Sequence, residues 1–287
     1  MAKTYKKPNK KVLKARRFAG NAVDVILKLA LCLLFAFPFY WMIITSLKSF
    51  GESVLYPPTM YPHKITFEAY KTIFEKVEIW KYLKNSLIVL FWTTIGSVLI
   101  NVPAAYAFAR YKFKGKDFMF SFMMIAFMVP GCLTFITVFR MFAELNWLNS
   151  LLPLILPCMG SVYNIFMLRQ NFMQIPEELI ESAVLDEANE LQIITKIMLP
   201  MSKSTFVLLL FLHIIGTWNS YMWPLMMTVN DDYRTLPVAI EGLKSLEGQL
   251  HWPTVMAGNM IILLPVLIVF IFASKKIIAA MAYKGVK

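Results

Sequence analysis

Residues suited to covalent or metal chemistry are few in this chain, and they are scattered. Cys32, Cys132 and Cys158 each lie inside an apolar run, and no CxxC pair occurs. That pattern indicates neither a metal site nor a disulfide framework. His63, His213 and His251 are far apart and have no acidic neighbours at ligand spacing. Packing or interface placement is the plainer role for all six. No GxxxxGK(S/T) phosphate loop is present, because "FKGKD" at 113–117 lacks both the leading glycine and the Ser/Thr. No histidine-centred arrangement marks a nucleophile. The expectation is a chain that catalyses nothing itself and binds no cofactor or metal. Recognition chemistry is concentrated in two stretches, "ESAVLDEANELQIITKIMLP" (Glu181 to Pro200) and "WNSYMWPL" (Trp218 to Leu225).

The elements around these stretches are apolar. Only 16% of the 287 residues are charged, against about 25% in soluble domains. Uncharged runs cover 29–47, 85–109, 118–139, 145–168, 204–230 and 248–274. Each is long enough for the roughly 20 residues that carry a helix across a bilayer. The prediction is an all-α membrane protein with spans at about 25–47, 85–109, 118–140, 145–168, 204–228 and 252–274. A basic N-terminal segment, 1–21, precedes one membrane domain, 22–287, without repeats or low-complexity linkers. Roughly the first 15 residues are expected to lack structure. The run "LALCLLFAFPFYWMIITSL" has the length of a span and no small-residue cleavage site, which predicts a retained first helix.

Orientation follows from the basic residues. Nineteen fall on the side shared by both termini: eight in 1–21, then Arg110, Lys112, Lys114, Lys116, Arg169, Lys196, Lys203, Lys275, Lys276, Lys284 and Lys287. Nine fall on the other side, six of them in the 48–84 loop beside four glutamates. Both termini and the 169–203 connection are therefore expected to be cytoplasmic. The net charge of +12 suits topology and anionic lipid, not nucleic acid. Breakers interrupt several spans: Pro103, Val129-Pro130-Gly131, Pro157, Gly160, Gly216, Pro224 and Pro265.

The 169–203 connection reads as two short helices. Pro176 suits a first helical position, and Glu177 and Glu178 suit the first turn. Ile180, Ala183 and Val184 form a narrow apolar stripe with Glu181 beside it. A second helix is expected to open at Asn189, with Gln192 completing a capping box. Ile193, Ile194, Ile197 and Met198 give it an apolar face, and Pro200 is expected to stop it. Lipid-surface helices are usually basic, and this hairpin is acidic. Two roles stay open on these residues: packing beneath its own bundle, or docking in a partner's groove.

The segment resembles the EAA loop of permease subunits of ABC importers, whose pattern runs Glu-Ala-Ala, Asp-Gly-Ala and then Ile-x-Leu-Pro. The matching residues here are Glu181-Ser182-Ala183, Asp186-Glu187-Ala188 and Ile197-Met198-Leu199-Pro200. Segments 38–49, 85–116, 218–227, 234–243 and 283–287 are similar in order to the carbohydrate-uptake branch. The resemblance implies a type I importer permease with six spans and a coupling loop between the fourth and fifth. It implies a bacterial plasma (inner) membrane location, a second related permease subunit, two ATPase subunits that use ATP and Mg, and an extracytoplasmic solute-binding protein. The residues that would meet the ATPase are Glu181, Ser182, Ala183, Asp186, Glu187, Ala188, Ile197, Leu199 and Pro200. Glycine at position 187 would reach positive φ at little cost. With Glu187 there, the turn is expected to shift to Asn189, which tolerates the left-handed region.

The spans contain almost no ionisable groups beyond Lys28 and His213, which argues against an ion-coupled carrier. A stand-alone carrier and a structural scaffold are the other classes. Trp218, Asn219 and Tyr221 combine flat apolar faces with hydrogen-bonding groups, the equipment of sugar recognition. Asn101 and Asn164 are further polar positions for a solute path, although hydrogen bonds between helices explain them equally well. For Trp223 an aromatic belt is the expected role. The implied solute is a sugar. Glycerol 3-phosphate is the alternative, because "WNSYMWPL" with "HWPTVMAGN" (251–259) is also similar to that sub-branch.

Overall fold

A computed structural model describes residues 10–246 and 251–282, and among these every regular element is a helix. The helices are α1 (Lys10–Ser46), α2 (Phe50–Ser53), α3 (Glu68–Lys76), α4 (Ile79–Arg110), α5 (Lys116–Met128), α6 (Gly131–Glu144), α7 (Leu152–Met159) and α8 (Val162–Phe172). Then follow α9 (Glu177–Leu185), α10 (Glu190–Ile193), a π-helical turn (Ile194–Met198), α11 (Leu199–Met201), α12 (Lys203–Trp218), α13 (Met222–Met227), α14 (Leu236–Leu246) and α15 (Trp252–Ala282). The ending 283–287 lies outside the described residues, as do 1–9. Helix α1 already begins at Lys10, so part of the basic lead expected to lack structure is helical.

Among the described residues, four helical stretches are long and apolar enough to cross a bilayer: Val23–Ser46, Ile79–Arg110, Leu152–Phe172 and Trp252–Ile271. Two bent pairs bring the number to six when each counts as one span. They are Lys116–Met128 with Gly131–Glu144, bent by 96°, and Glu190–Met201 with Lys203–Trp218, bent by 89°. The first bend has a local cause. Pro130 disfavours helix at the residue before it, and Val129 is extended at φ −74°, ψ 119°.

The helices depart from the expected spans at the start of the fourth and within the fifth. The fourth span begins at Leu152, not near 145, because Asn146 and Asn149 turn the chain at positive φ. It is also interrupted at Gly160, which is extended, before Ser161 caps α8. The fifth span breaks at Asn219–Tyr221, after α12. Gly216 lies inside α12, and Pro224 sits in the first turn of α13, where its missing N–H matters least.

Packing divides the chain into two compact units. One comprises the described residues up to Thr72 with His251–Met260. Here Pro57, Pro58 and Pro62 fall in the non-helical 54–67 stretch, as their ring chemistry requires. Beneath this loop Lys48 is 3% exposed. Its Nζ donates to the Thr59 carbonyl and lies 4.9 Å from the Trp41 ring. Burial lowers the Lys48 pKa, and the charge of Glu52 partly offsets that. Glu52 accepts from the Thr59 hydroxyl at 3.0 Å and the His63 N–H at 2.9 Å. Its carboxylate also lies 3.0 Å from His63 Nδ1, so the loop brings together an acid and a histidine that are distant in sequence.

The second unit runs from Ile73 and includes Ile261 onward. Its centre is α4, which packs on α7, α8, α12 and α14. Val102, Ala105 and Tyr106 of α4 share a core with Ile165, Leu168, Phe172, Ile193 and Met198. Gly96 of α4 admits the Met159 side chain so closely that a Cβ there would lie 2.3 Å from Met159 Cγ.

Candidate coupling hairpin and transport cavity

The 169–203 connection folds as a helical hairpin. Pro176 stands one residue before α9, as its N-cap. The helix closes in a Schellman motif. Ala188 N–H donates to the Ala183 carbonyl at 2.9 Å, and Glu187 N–H to the Val184 carbonyl at 3.0 Å. That motif requires a left-handed residue at the turn, and Glu187 takes it at φ 58°. The turn does not shift to Asn189. Asn189 is extended at φ −75°, ψ 162°, and forms the capping box with Gln192 in both directions. One residue cannot be both an extended N-cap and a left-handed C-cap, so the strain falls on Glu187.

Pro200 does not end the second helix. An α-helical proline ring would clash with the carbonyl four residues back. The π-helical turn 194–198 widens the helix just ahead of it, with Leu199 N–H bonded to the Ile194 carbonyl. Helix continues through Met201 and the chain bends at Ser202.

The apolar stripe of α9 divides between two environments. Ile180 and Ala183 pack, partly buried, on the core that contains Phe172 and Ile193. Val184 faces outward, 58% exposed, with Leu185 at 84% and Leu191 at 70%. Glu181, Ser182, Asp186, Glu187 and Pro200 are exposed, while Ala188, Ile197 and Leu199 are half-buried. The outward face is therefore Val184, Leu185 and Leu191 framed by acids. Leu185 and Leu191 escaped the sequence reading, because helical periodicity locates a stripe without saying which body covers it.

The last turn of α4 grips this hairpin at two places. Arg110 Nη2 donates to the carbonyls of Phe172 and Ile175, just before α9. Tyr106 Oη donates to Glu190 Oε2 at 2.7 Å, just after the turn. Arg169 Nε donates to the Phe108 carbonyl at 3.0 Å, and its guanidinium covers the Phe120 ring at 4.1 Å.

Farther along, α4 borders a cavity of about 250 Å3. Its lining includes Ser86 and Val89 of α4, Leu154 and Cys158 of α7, His213, Gly216, Thr217 and Trp218 of α12, and then Ser220, Trp223, Pro224 and Thr235. His213 Nε2 and Thr235 Oγ1 are buried there without a protein partner. Buried polar atoms are normally hydrogen-bonded, so these two mark where a polar guest would be held. Trp218 lines this space, but its indole N–H donates to the Ile262 carbonyl at 3.0 Å. Trp223 donates to the Pro153 carbonyl at 2.9 Å and braces the bundle. Asn219 is exposed at the helix break, and Tyr221 is half-buried beside it.

Asn101 and Asn164 sit elsewhere, on a crevice of about 20 Å3, room for a single water. The Asn101 amide donates to Ser97 Oγ at 2.7 Å and its carbonyl oxygen accepts from Ser161 N–H at 2.9 Å. Asn101 thus pins the α7–α8 break to α4.

The described residues form a helical bundle of up to six candidate spans, with a polar hairpin at one connection and a cavity between helices. Residues 101–279 match the family of binding-protein-dependent transport system inner membrane components, and the chain belongs to that family. It is an ABC importer permease, a transport subunit and not an enzyme. It is 30% identical over 260 residues to the arabinooligosaccharides transport system permease protein of Bacillus subtilis, covering 90% of this chain and 92% of that protein. It is 30% identical over 220 residues to the sn-glycerol-3-phosphate transport system permease protein of Salmonella typhi, covering 74% and 78% respectively. Its fold is similar to a chain of a bacterial ABC transporter involved in the import of the acidic polysaccharide alginate, with TM-score 0.76 and 21% identity over 94% of this chain and 99% of that one.

Proposed function

We propose that this chain forms half of the translocation path of an ATP-driven sugar importer. A second related permease supplies the other half, and two ATPase subunits dock on the 169–203 hairpin, with both termini in the cytoplasm. A solute-binding protein delivers the sugar from outside. The observation that carries this reading is the outward face of the hairpin. Val184, Leu185 and Leu191 leave apolar surface in an acidic frame, a surface suited to a protein groove and unsuited to anionic lipid. Along α1, residues 23–39 are exposed throughout, which leaves that apolar surface to lipid and to the second permease.

The cavity favours a neutral, hydroxyl-bearing solute. Its lining supplies indole faces, hydroxyls and one imidazole, and no Lys or Arg. An anion would be expected to meet positive charge. Glycerol 3-phosphate is the second reading, favoured by the similarity to a glycerol-phosphate permease.

Association with the ATPase tests the docking. Leu185→Asp should abolish co-purification of the ATPase while leaving membrane insertion intact, because Leu185 has little contact with its own bundle. Undiminished co-purification would refute the dock. Uptake of labelled arabinotriose against labelled glycerol 3-phosphate by the reconstituted complex then separates the two solutes.

A further inference from the structure

We infer that the C-terminal turn of α4 is a transmission joint. Tyr106 and Glu190 are positioning residues that couple displacement of α9 to the cavity at the far end of the same helix. The inference rests on the reading of α9 as the ATPase-docking helix and goes beyond it by naming the path from the dock to the cavity.

The two grips on the hairpin lie on either side of α9. Arg110 holds the backbone at 172 and 175, before α9 begins at Glu177. Tyr106 holds Glu190, the first residue of α10. A helix fixed at both flanks to one neighbour cannot translate without either moving that neighbour or breaking the bonds.

Helix α4 runs as one helix from Ile79 to Arg110, with Pro103 inside it. Tyr106 is 4% exposed and packed among Phe172, Ile193 and Met198, so its hydroxyl has little freedom to follow Glu190 independently. The bond to a carboxylate is charge-assisted and stronger than a neutral one. From Arg110 to Ser86 is 24 residues, about 36 Å of helix at 1.5 Å per residue. Along that length Asn101 grips the α7–α8 break. At the far end Ser86 lines the cavity while accepting the Leu236 N–H at 2.8 Å. One helix therefore touches the hairpin, the break in the fourth span and the cavity. The other routes from the hairpin are less continuous. Helix α12 departs after an 89° bend at Ser202, and α8 ends upstream at the Gly160–Ser161 break.

The test uses a native reporter. Cys158 lines the cavity, and the other two cysteines can be removed as Cys32→Ser and Cys132→Ser. In nanodiscs holding the full complex, maleimide labelling of Cys158 is followed as ATP with orthovanadate is added, which requires no knowledge of the solute. Labelling should change with nucleotide in this background. Tyr106→Phe deletes one oxygen and keeps the packing. It should co-purify with the ATPase normally, yet need about tenfold more nucleotide for the same change, as expected from loss of a hydrogen bond to a charged group. Glu190→Ala should behave likewise, and Glu190→Gln, which keeps an acceptor, should retain the response.

Three outcomes would overturn the inference: an unaltered response in Tyr106→Phe, a response lost equally in Glu190→Gln, or an ATPase lost together with the response. The last would make Tyr106 merely structural. Failure of the docking reading itself shows differently, as ATPase retained by Leu185→Asp.

Discussion

Glu187 is the most informative single residue. Its positive φ follows from its neighbours: the Schellman bonds demand a left-handed residue, and the capping box fixes Asn189 as extended. A non-glycine residue there costs roughly 1–2 kcal/mol. Glu187→Gly should therefore raise thermal stability by about 1 kcal/mol, on the order of a 2 °C rise in melting temperature. Glu187→Val should lower it, since a β-branched residue tolerates positive φ least. No gain for glycine would show that the side chain has a compensating partner. The capping box was legible in the sequence because it is set by two residues three apart. The turn residue was not, because it depended on which of two adjacent motifs claimed Asn189. The cavity's polar pair, His213 and Thr235, was legible only as an unusual histidine within a span; the fold is what brings Thr235 to it.

At the scale of elements, breaks in the helices are as important as the helices. The Val129-Pro130-Gly131 break was plain from proline chemistry. The break at Asn219–Tyr221 was not, since Gly216 and Pro224 on either side are stronger formal breakers and both are accommodated within helices. The close fit of α4 to α7 at Gly96 makes a prediction. Gly96→Leu would drive its Cβ into Met159, which is 2.3 Å away, and overpacking of this kind costs typically 1–3 kcal/mol. The variant should melt earlier, and Met159→Ala should recover much of the loss. The 48–67 loop makes a second. Burial raises the Glu52 pKa, but the His63 N–H, the Thr59 hydroxyl and the charges of His63 and Lys48 together hold it below its ordinary value. A carboxylate with a depressed folded pKa stabilises above its unfolded value of about 4.3 and loses that contribution as pH falls through the folded one. The loop should become protease-sensitive in acid below about pH 4, and Glu52→Gln should remove most of that pH dependence. A protease sensitivity independent of pH in the wild type would contradict this.

At the scale of the molecule, composition and local period carried the all-helical membrane class and the acidic helical insert, while the resemblance of Glu181–Pro200 to the EAA loop carried the importer assignment. What sequence left open was direction: which side of α9 faces its own bundle and which faces out. That depends on how α4, α8 and α10 close around Phe172 and Ile193, a tertiary fact that periodicity does not carry. Ile180 and Ala183 pack inward, and Leu185 and Leu191 are exposed.

The most direct measurement is ATP-dependent uptake of labelled arabinotriose by proteoliposomes containing this chain, its companion permease, the ATPases and the binding protein. The account predicts uptake that requires ATP and the binding protein and is abolished by Leu185→Asp. Uptake by this chain alone, driven by an ion gradient without the ATPase, would contradict it.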